Sequence, residues 1–308
     1  MAILFSDKTY RRDKIYSLIK QYLPEHEVRL WPDVGNPEDI DYAIAWYPEP
    51  SSLLNLPHLK ALFLTSAGVD GPLADPTLPD VPIARCVNNS LSEGMAGFVA
   101  YNILQFHRQF YLYVQQQRDK VWQQHRQPSN ASCTVGIMGM GEMGLACLQV
   151  LQPFGFTLRG WSRSEKHIDG ITHFAGKDSL PDFLSGCDIV VCVLPLTDET
   201  RGILCSTNLK HAKQGSYLIS AGRGAQMVEK DILDLLDKGH IAGAALDVFE
   251  TEPLPTDNPL WSHPKVILTP HIASITDYAV LCEGIRQQIA NFEAGLPLKN
   301  VVDRMLGY

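Results

Sequence analysis

Residues 133–144, Cys-Thr-Val-Gly-Ile-Met-Gly-Met-Gly-Glu-Met-Gly, constrain this chain more than any other stretch. Val135, Ile137 and Met138 make an apolar strand, three glycines follow at Gly139, Gly141 and Gly144, and the helix-forming run Leu145 to Leu151 stops at Pro153. In such a G-x-G-x-x-G turn the first glycine permits the tight bend. The second lets backbone approach a pyrophosphate, and the third lets helix and strand pack closely. The helix that starts there aims unpaired N–H groups and the positive end of its dipole at the phosphates. The turn therefore reads as a dinucleotide site, with Gly139, Met140, Gly141, Glu142 and Met143 as the expected contacts. Glu142 fits if its charge turns outward while its N–H points inward.

At 308 residues the chain has room for two domains. Its 26 basic and 34 acidic residues include no basic run, which argues against a nucleic-acid surface. Seven cysteines, an odd number without C-x-x-C spacing, suit a reducing compartment. The opening apolar run is too short for a signal peptide, no stretch is long enough to span a bilayer, and the expected location is cytoplasmic. No metal site is expected.

Short strands at Ala2 to Phe5, Val28 to Trp31, Tyr42 to Trp46, Ala61 to Leu64 and Ile83 to Val87 alternate with helices at Arg11 to Leu23 and near Ser51 to Leu56. That rhythm predicts a parallel α/β sheet. A long helix, Ser92 to Arg118, is apolar almost all round in its first half, which predicts burial on every side and, with Gly94, Ala96, Gly97 and Ala100, close approach of another backbone. It reads either as a crossover helix or as a two-fold dimer contact as well. A second α/β series begins at residue 133, and a closing helix, Asp277 to Ala294, is positioned to return to the first domain. The expected architecture is α/β, two Rossmann-like domains with parallel sheets, the cofactor domain (92–275, with the helix 92–118) inserted into a discontinuous substrate domain (1–91 with 276–308).

After the second strand of a dinucleotide fold, an acid binds the adenosine 2′-hydroxyl of NAD, whereas an arginine accommodates the 2′-phosphate of NADP. Thr157 to Trp161 ends in Ser162-Arg163-Ser164, with no acid at the strand end. A guanidinium fork and two hydroxyls suit a phosphate, so NADP(H) is the expected cofactor, with Glu165 turned away. Three more polar groups follow strands: Arg223, Glu252 and His271. Each alone suits an ordinary structural role. Together, at the carboxyl ends of strands where α/β sheets bind ligands, they supply a cation, a proton donor and a carboxylate that favours the charged imidazole. With a reduced nicotinamide these are the requirements for reducing a 2-keto acid.

Val135 to Gly144, Leu194 to Gly202, Ser220 to Gly224, Leu246 to Pro253 and Thr269 to Ser274 resemble, in order and spacing, the D-isomer-specific 2-hydroxyacid dehydrogenase family, and within it the glyoxylate/hydroxypyruvate reductase branch. The first domain matches chiefly through Ser66 to Asp70. The resemblance implies that Arg223 binds the substrate carboxylate and carbonyl, His271 is the acid/base and Glu252 its partner. It puts Asp247 near the nicotinamide carboxamide and Pro195 on the adenosine side. It also assigns the amides of Ala67, Gly68 and Val69 to the substrate carboxylate. Trp46 reads equally as a wall of the substrate site or as a core residue. The implied activity is NADPH-dependent reduction of glyoxylate and hydroxypyruvate, by a homodimer, the first domain closing over the keto acid. Another D-2-hydroxyacid dehydrogenase, acting on D-lactate or similar, is the alternative; a nucleotide-sensing interaction protein on the same fold is a further one. Two departures from the family pattern stand out. Ser220-Ala221-Gly222 replaces the usual Asn-Thr-Ala, and Gly97 stands where a glutamate is frequent.

Overall fold

The computed structural model describes residues 1–9 and 11–307. The chain divides into two compact units, Met1–Leu91 with Ile275–Tyr308, and Ser92–Ser274.

In the first unit the strands are β1 (Ala2–Ser6), β2 (Glu27–Leu30), β3 (Ile40–Ala45), β4 (Ala61–Leu64) and β5 (Ile83–Ala84), with helices α1 (Arg12–Tyr22) and α2 (Asp70–Leu73) between them. The strands form one parallel sheet ordered β2-β1-β3-β4-β5. β1, β3 and β4 are buried almost throughout, as both faces of a parallel sheet must be. Strand order reverses between β1 and β3, so the loops after these two strands flank the point where open α/β sheets hold ligands. Of residues 51–56, expected as a short helix, 51–55 form turns. Ser51 and Asn55 take left-handed backbone, φ 61° and 60°, which interrupts any helix after one turn.

The second unit opens on the long helical region. It is broken in two, α3 (Asn89–His107) and α4 (Phe110–Asp119). α3 starts earlier than the apolar pattern suggests because the Asn88 side chain accepts the Leu91 N–H and caps it. The break is Gln109, at φ 56°. Nor is α3 buried all round: Tyr101 is 65% exposed, and a Cβ on Gly97, one turn earlier, meets nothing within 4 Å.

The strands that follow are β6 (Thr134–Met138), β7 (Thr157–Ser162), β8 (Ile171–Ala175), β9 (Ile189–Cys192), β10 (Ser216–Ser220), β11 (Ile241–Leu246) and β12 (Val266–Leu268). Helices α5 (Glu142–Leu151), α6 (Leu180–Ser185), α7 (Ser206–Leu209) and α8 (Glu229–Asp237) connect them. All seven strands are parallel, in the order β12-β11-β10-β9-β6-β7-β8. Alternate residues feed two cores. Val135, Ile137, Ile189 and Val191 pack with Val99, Ile103 and Phe106 of α3 and Leu148 and Leu151 of α5. Met138, Val190 and Cys192 pack on the other face with Phe183, Leu184, Ile232 and Leu236. β8 is absent from the sequence expectation. It is a half-buried edge strand carrying Thr172 and His173, with no apolar run to mark it.

The last helix, α9 (Tyr278–Glu293), belongs to the first unit, where it packs on α1. Asp277 caps it by accepting from Ala279 N and Val280 N, and Gly295, at φ 81°, closes it.

Candidate active site

In the second unit strand order reverses between β6 and β9, and the loops after these strands meet. Gly139, at φ 101°, lies so close to Val193 that a Cβ there would fall 2.9 Å from the Val193 carbonyl oxygen. A Cβ on Gly144 would fall 1.7 Å from the Gly139 oxygen, which is the close helix-to-strand packing the motif demands. Gly141 is the N-cap of α5 with no side-chain cap, and a Cβ there would meet nothing within 4 Å. Open space therefore lies over an uncapped helix N-terminus, the place a pyrophosphate takes. Glu142 is exposed. Met143 packs beside the α3–α5 core, and Met140 is buried with its sulfur against Gly160, so Met140 offers its backbone rather than its side chain.

The loop after β7 carries the residues expected to meet the 2′-phosphate. Arg163, Ser164 and Glu165 are exposed. The Ser162 hydroxyl donates to the Ser164 carbonyl at 2.8 Å and meets His173 Nε2 at 2.9 Å. His173 Nδ1 accepts the Lys166 N–H at 3.2 Å, and Lys166 Nζ donates to the Met140 carbonyl at 2.6 Å. Accepting at Nδ1 makes Nε2 the protonated nitrogen, so the Ser162 oxygen accepts from the ring while its hydrogen goes to Ser164. Burial holds His173 below the ordinary imidazole range against the pull of Glu165, with Lys166 adding to the lowering. Neither His173 nor Lys166 carries a recognisable motif, and sequence reasoning missed both.

Arg223, Glu252 and His271 follow β10, β11 and β12. Two loops are brought together at Gly224, where a Cβ would fall 1.8 Å from the Phe249 carbonyl carbon. Only glycine allows the arginine loop to lie directly on the backbone that leads to Glu252. Glu252 Oε1 accepts the Phe249 N–H at 3.0 Å, and Oε2 meets His271 Nδ1 at 2.7 Å. Burial pulls the Glu252 carboxyl up, but the His271 and Phe249 hydrogen bonds and the charges of His271 and Arg223 outweigh it and hold it below its ordinary value. An ionised carboxylate only accepts, so Nδ1 carries the proton and Nε2 is the nitrogen left for a ligand oxygen. Arg223 Nη1 donates to the Gly222 carbonyl at 3.0 Å.

Asp247 is placed beneath this pair. It is fully buried, and its carboxylate accepts from Thr269 Oγ1 at 2.5 Å, Ile272 N at 2.9 Å and Ala273 N at 2.8 Å. Its carbonyl accepts the His271 N–H at 2.9 Å. Asp247, the residue expected beside a nicotinamide carboxamide, thereby clamps the loop that carries His271. Pro195 is exposed, and its carbonyl accepts from Thr200 Oγ1 at 2.7 Å and Gln226 Nε2 at 3.0 Å.

A family model described as the NAD binding domain of D-isomer specific 2-hydroxyacid dehydrogenases matches residues 100–273. The chain belongs to that family. Over 314 residues, spanning 100% of both chains, it is 38% identical to the glyoxylate/hydroxypyruvate reductase A of Serratia proteamaculans (strain 568). A solved NADPH-dependent glyoxylate/hydroxypyruvate reductase from Sinorhizobium meliloti, in complex with NADP and sulfate, superposes with a TM-score of 0.93 at 37% identity, covering 100% of this chain and 99% of that one. A D-isomer specific 2-hydroxyacid dehydrogenase from Xanthobacter autotrophicus Py2, in complex with NADPH and MES, gives the same TM-score, identity and coverage.

For this member of the dehydrogenase family, the substrate residues expected from the first unit lie after β3 and β4. Trp46 is half-buried, its ring centroid 5.2 Å from that of Tyr47. Ala67 and Gly68 are half-buried and Val69 is buried, in a turn where Ser66 Oγ donates to the Gly68 carbonyl at 2.7 Å. Among the described residues, no cluster of three or more His, Cys, Asp or Glu is arranged to hold a metal ion, and no helix is long and apolar enough to cross a membrane.

Proposed function

We propose that this dehydrogenase reduces small 2-keto acids, glyoxylate and hydroxypyruvate first, with NADPH as the reductant. The observation that carries the reading is the His271–Glu252 pair, Nδ1 to Oε2 2.7 Å, with the Glu252 loop packed against the one that bears Arg223. The names of the Serratia and Sinorhizobium relatives supply the substrates, and the NADP bound in the latter supports the cofactor.

Arg223 binds the keto acid through its carboxylate and withdraws electrons from the carbonyl oxygen; its planar fork suits both. His271 donates the Nε2 proton to that oxygen as the carbonyl becomes an alcohol, and Glu252 holds Nδ1 and stabilises the charged ring. When bound, NADPH supplies the hydride that the carbonyl carbon accepts. The turn from Gly139 to Gly141 and the start of α5, with Met143 beside it, hold the pyrophosphate. Arg163 and Ser164 take the 2′-phosphate, and Pro195 lines the adenosine side. In the first unit, the amides of Ala67, Gly68 and Val69 and the Trp46 ring are the proposed substrate contacts. The 92–275 segment is the proposed cofactor domain, and 1–91 with 276–308 the substrate domain. Seven free thiols, six of them buried, support the cytoplasm.

A second copy of this chain is the proposed partner. Gly97 and Tyr101 share an open face of α3, and Phe110, Val114, Val121 and Trp122 are 54%, 51%, 48% and 99% exposed on α4 and the segment after it. Exposed apolar side chains at this density mark association surfaces.

Steady-state assays with glyoxylate, hydroxypyruvate, pyruvate and 3-phosphohydroxypyruvate, each with NADPH and NADH, test the reading. NADPH with the first two is expected to dominate. A strong NADH preference removes the role of Arg163, and turnover of none of the four removes the activity.

A further inference from the structure

Gln226 takes no part in the roles assigned above, yet it is the most fully engaged polar side chain near them. It ends the single helical turn Gly224–Gln226 after Arg223 and is 0% exposed. Its amide nitrogen donates one hydrogen to the Leu194 carbonyl and the other to the Pro195 carbonyl, both at 3.0 Å. Its oxygen accepts the Arg223 N–H at 2.9 Å and faces the Cys192 thiol at 3.6 Å. Burial pushes that thiol up to about 12, so it remains a donor. A primary amide has two hydrogens and two good acceptor directions, and all four are used. The orientation is therefore unique: reversed, the oxygen would face two carbonyls and the NH2 would face an N–H.

The surrounding chain is built to accommodate this side chain. At Gly222 a Cβ would fall 2.3 Å from Gln226 Oε1 and 2.9 Å from the Leu194 oxygen. The glycine that departs from the family pattern thus leaves the volume the glutamine fills. Backbone bonds fix the residue further, since Gln226 N donates to the Arg223 carbonyl at 3.1 Å and Leu204 N donates to the Gln226 carbonyl at 2.9 Å. One side chain consequently ties the loop after β9 to the loop after β10.

We infer that Gln226 is a positioning residue for Arg223, locking the backbone that presents the guanidinium to the Leu194–Pro195 loop on the cofactor side. The inference rests on the reading of Arg223 as the substrate-binding cation. Gln226 itself touches neither substrate nor cofactor. It acts by removing freedom from the loop, so that the guanidinium meets the keto acid without a reorganisation step.

The test is a double-mutant cycle in the full-length protein, with Gln226→Met in the wild-type and Arg223→Lys backgrounds. It reads kcat and KM for glyoxylate and Tm for folding. Methionine keeps length and volume and removes all four hydrogen bonds. In the wild-type background, kcat/KM is expected to fall about tenfold or more with the fold retained; in the Arg223→Lys background the same change is expected to cost less than about threefold. Equal losses in the two backgrounds, or an unchanged kcat/KM in the first, overturn the inference. Should Gln226→Met fail to fold, the isosteric Gln226→Glu takes its place in the cycle. Failure of both to fold overturns it too, because the residue would then serve the fold and not the arginine. An Arg223→Lys enzyme with wild-type kcat/KM fails differently: it removes the underlying assignment of Arg223 and the inference with it.

Discussion

His271 adopts left-handed backbone at φ 54°, a conformation that costs a non-glycine residue roughly 1–2 kcal/mol. Asp247 sustains it by bonding the residues on either side, so the strain is held where the imidazole meets Glu252. Two substitutions separate chemistry from strain. His271→Ala and His271→Gly are both expected to lower kcat by about 10²–10⁴-fold. The glycine variant is expected to unfold at higher temperature than the alanine variant, by about 1 kcal/mol of stability. Glu252 gives a pH prediction. Its folded pKa lies below its unfolded value near 4.5, so the stability it contributes is present above that value and is lost as pH falls through the folded one. The difference in Tm between wild type and Glu252→Gln should therefore vanish on acidification below this window. For activity, Glu252→Gln removes the carboxylate that accepts from His271 Nδ1, and kcat for keto acid reduction is expected to fall by about tenfold or more.

At the scale of elements, the glycine turn is a packing device as much as a binding one. Gly144→Ala places a methyl group 1.7 Å from the Gly139 oxygen, so β6 and α5 must separate. A loss of about 1–3 kcal/mol in urea titration is expected, with weaker NADPH binding by fluorescence titration. Arg163→Ala, in the exposed loop after β7, should leave Tm unchanged and reduce the NADPH-over-NADH preference by about 10–100-fold, the worth of a charge-assisted hydrogen bond. The strand, turn and helix of this motif were legible because their signal is local: the apolar run through Met138 and the three glycines lie within a few residues. The break at Gln109 and the edge strand β8 were not, because a left-handed residue without glycine and a strand without an apolar run leave no periodic mark. Gln226 and the inward role of Asp247 depend on partners that only the folded sheet brings near, Leu194 and Ala273 among them. Sequence spacing locates a functional carboxylate at a strand end but does not tell which way its oxygens are satisfied.

For the whole molecule, the seven cysteines are free and six are buried, so thermal stability should not depend on added reductant. The exposed apolar set around Trp122 predicts a dimer in solution. Sedimentation velocity is expected to give twice the 34.3 kDa chain mass, and Trp122→Ser with Phe110→Ser to shift it toward one chain. A single-chain species for the wild type would instead leave this surface without its proposed partner.

The most direct measurement follows NADPH absorbance with glyoxylate and with hydroxypyruvate, using wild type, Arg223→Ala and His271→Ala at matched folded concentration. Rapid NADPH oxidation by the wild type, and a loss of about a hundredfold or more in each variant, is the predicted result. Wild-type protein that oxidises NADPH with neither keto acid, or variants that both retain full turnover, would contradict the central claim.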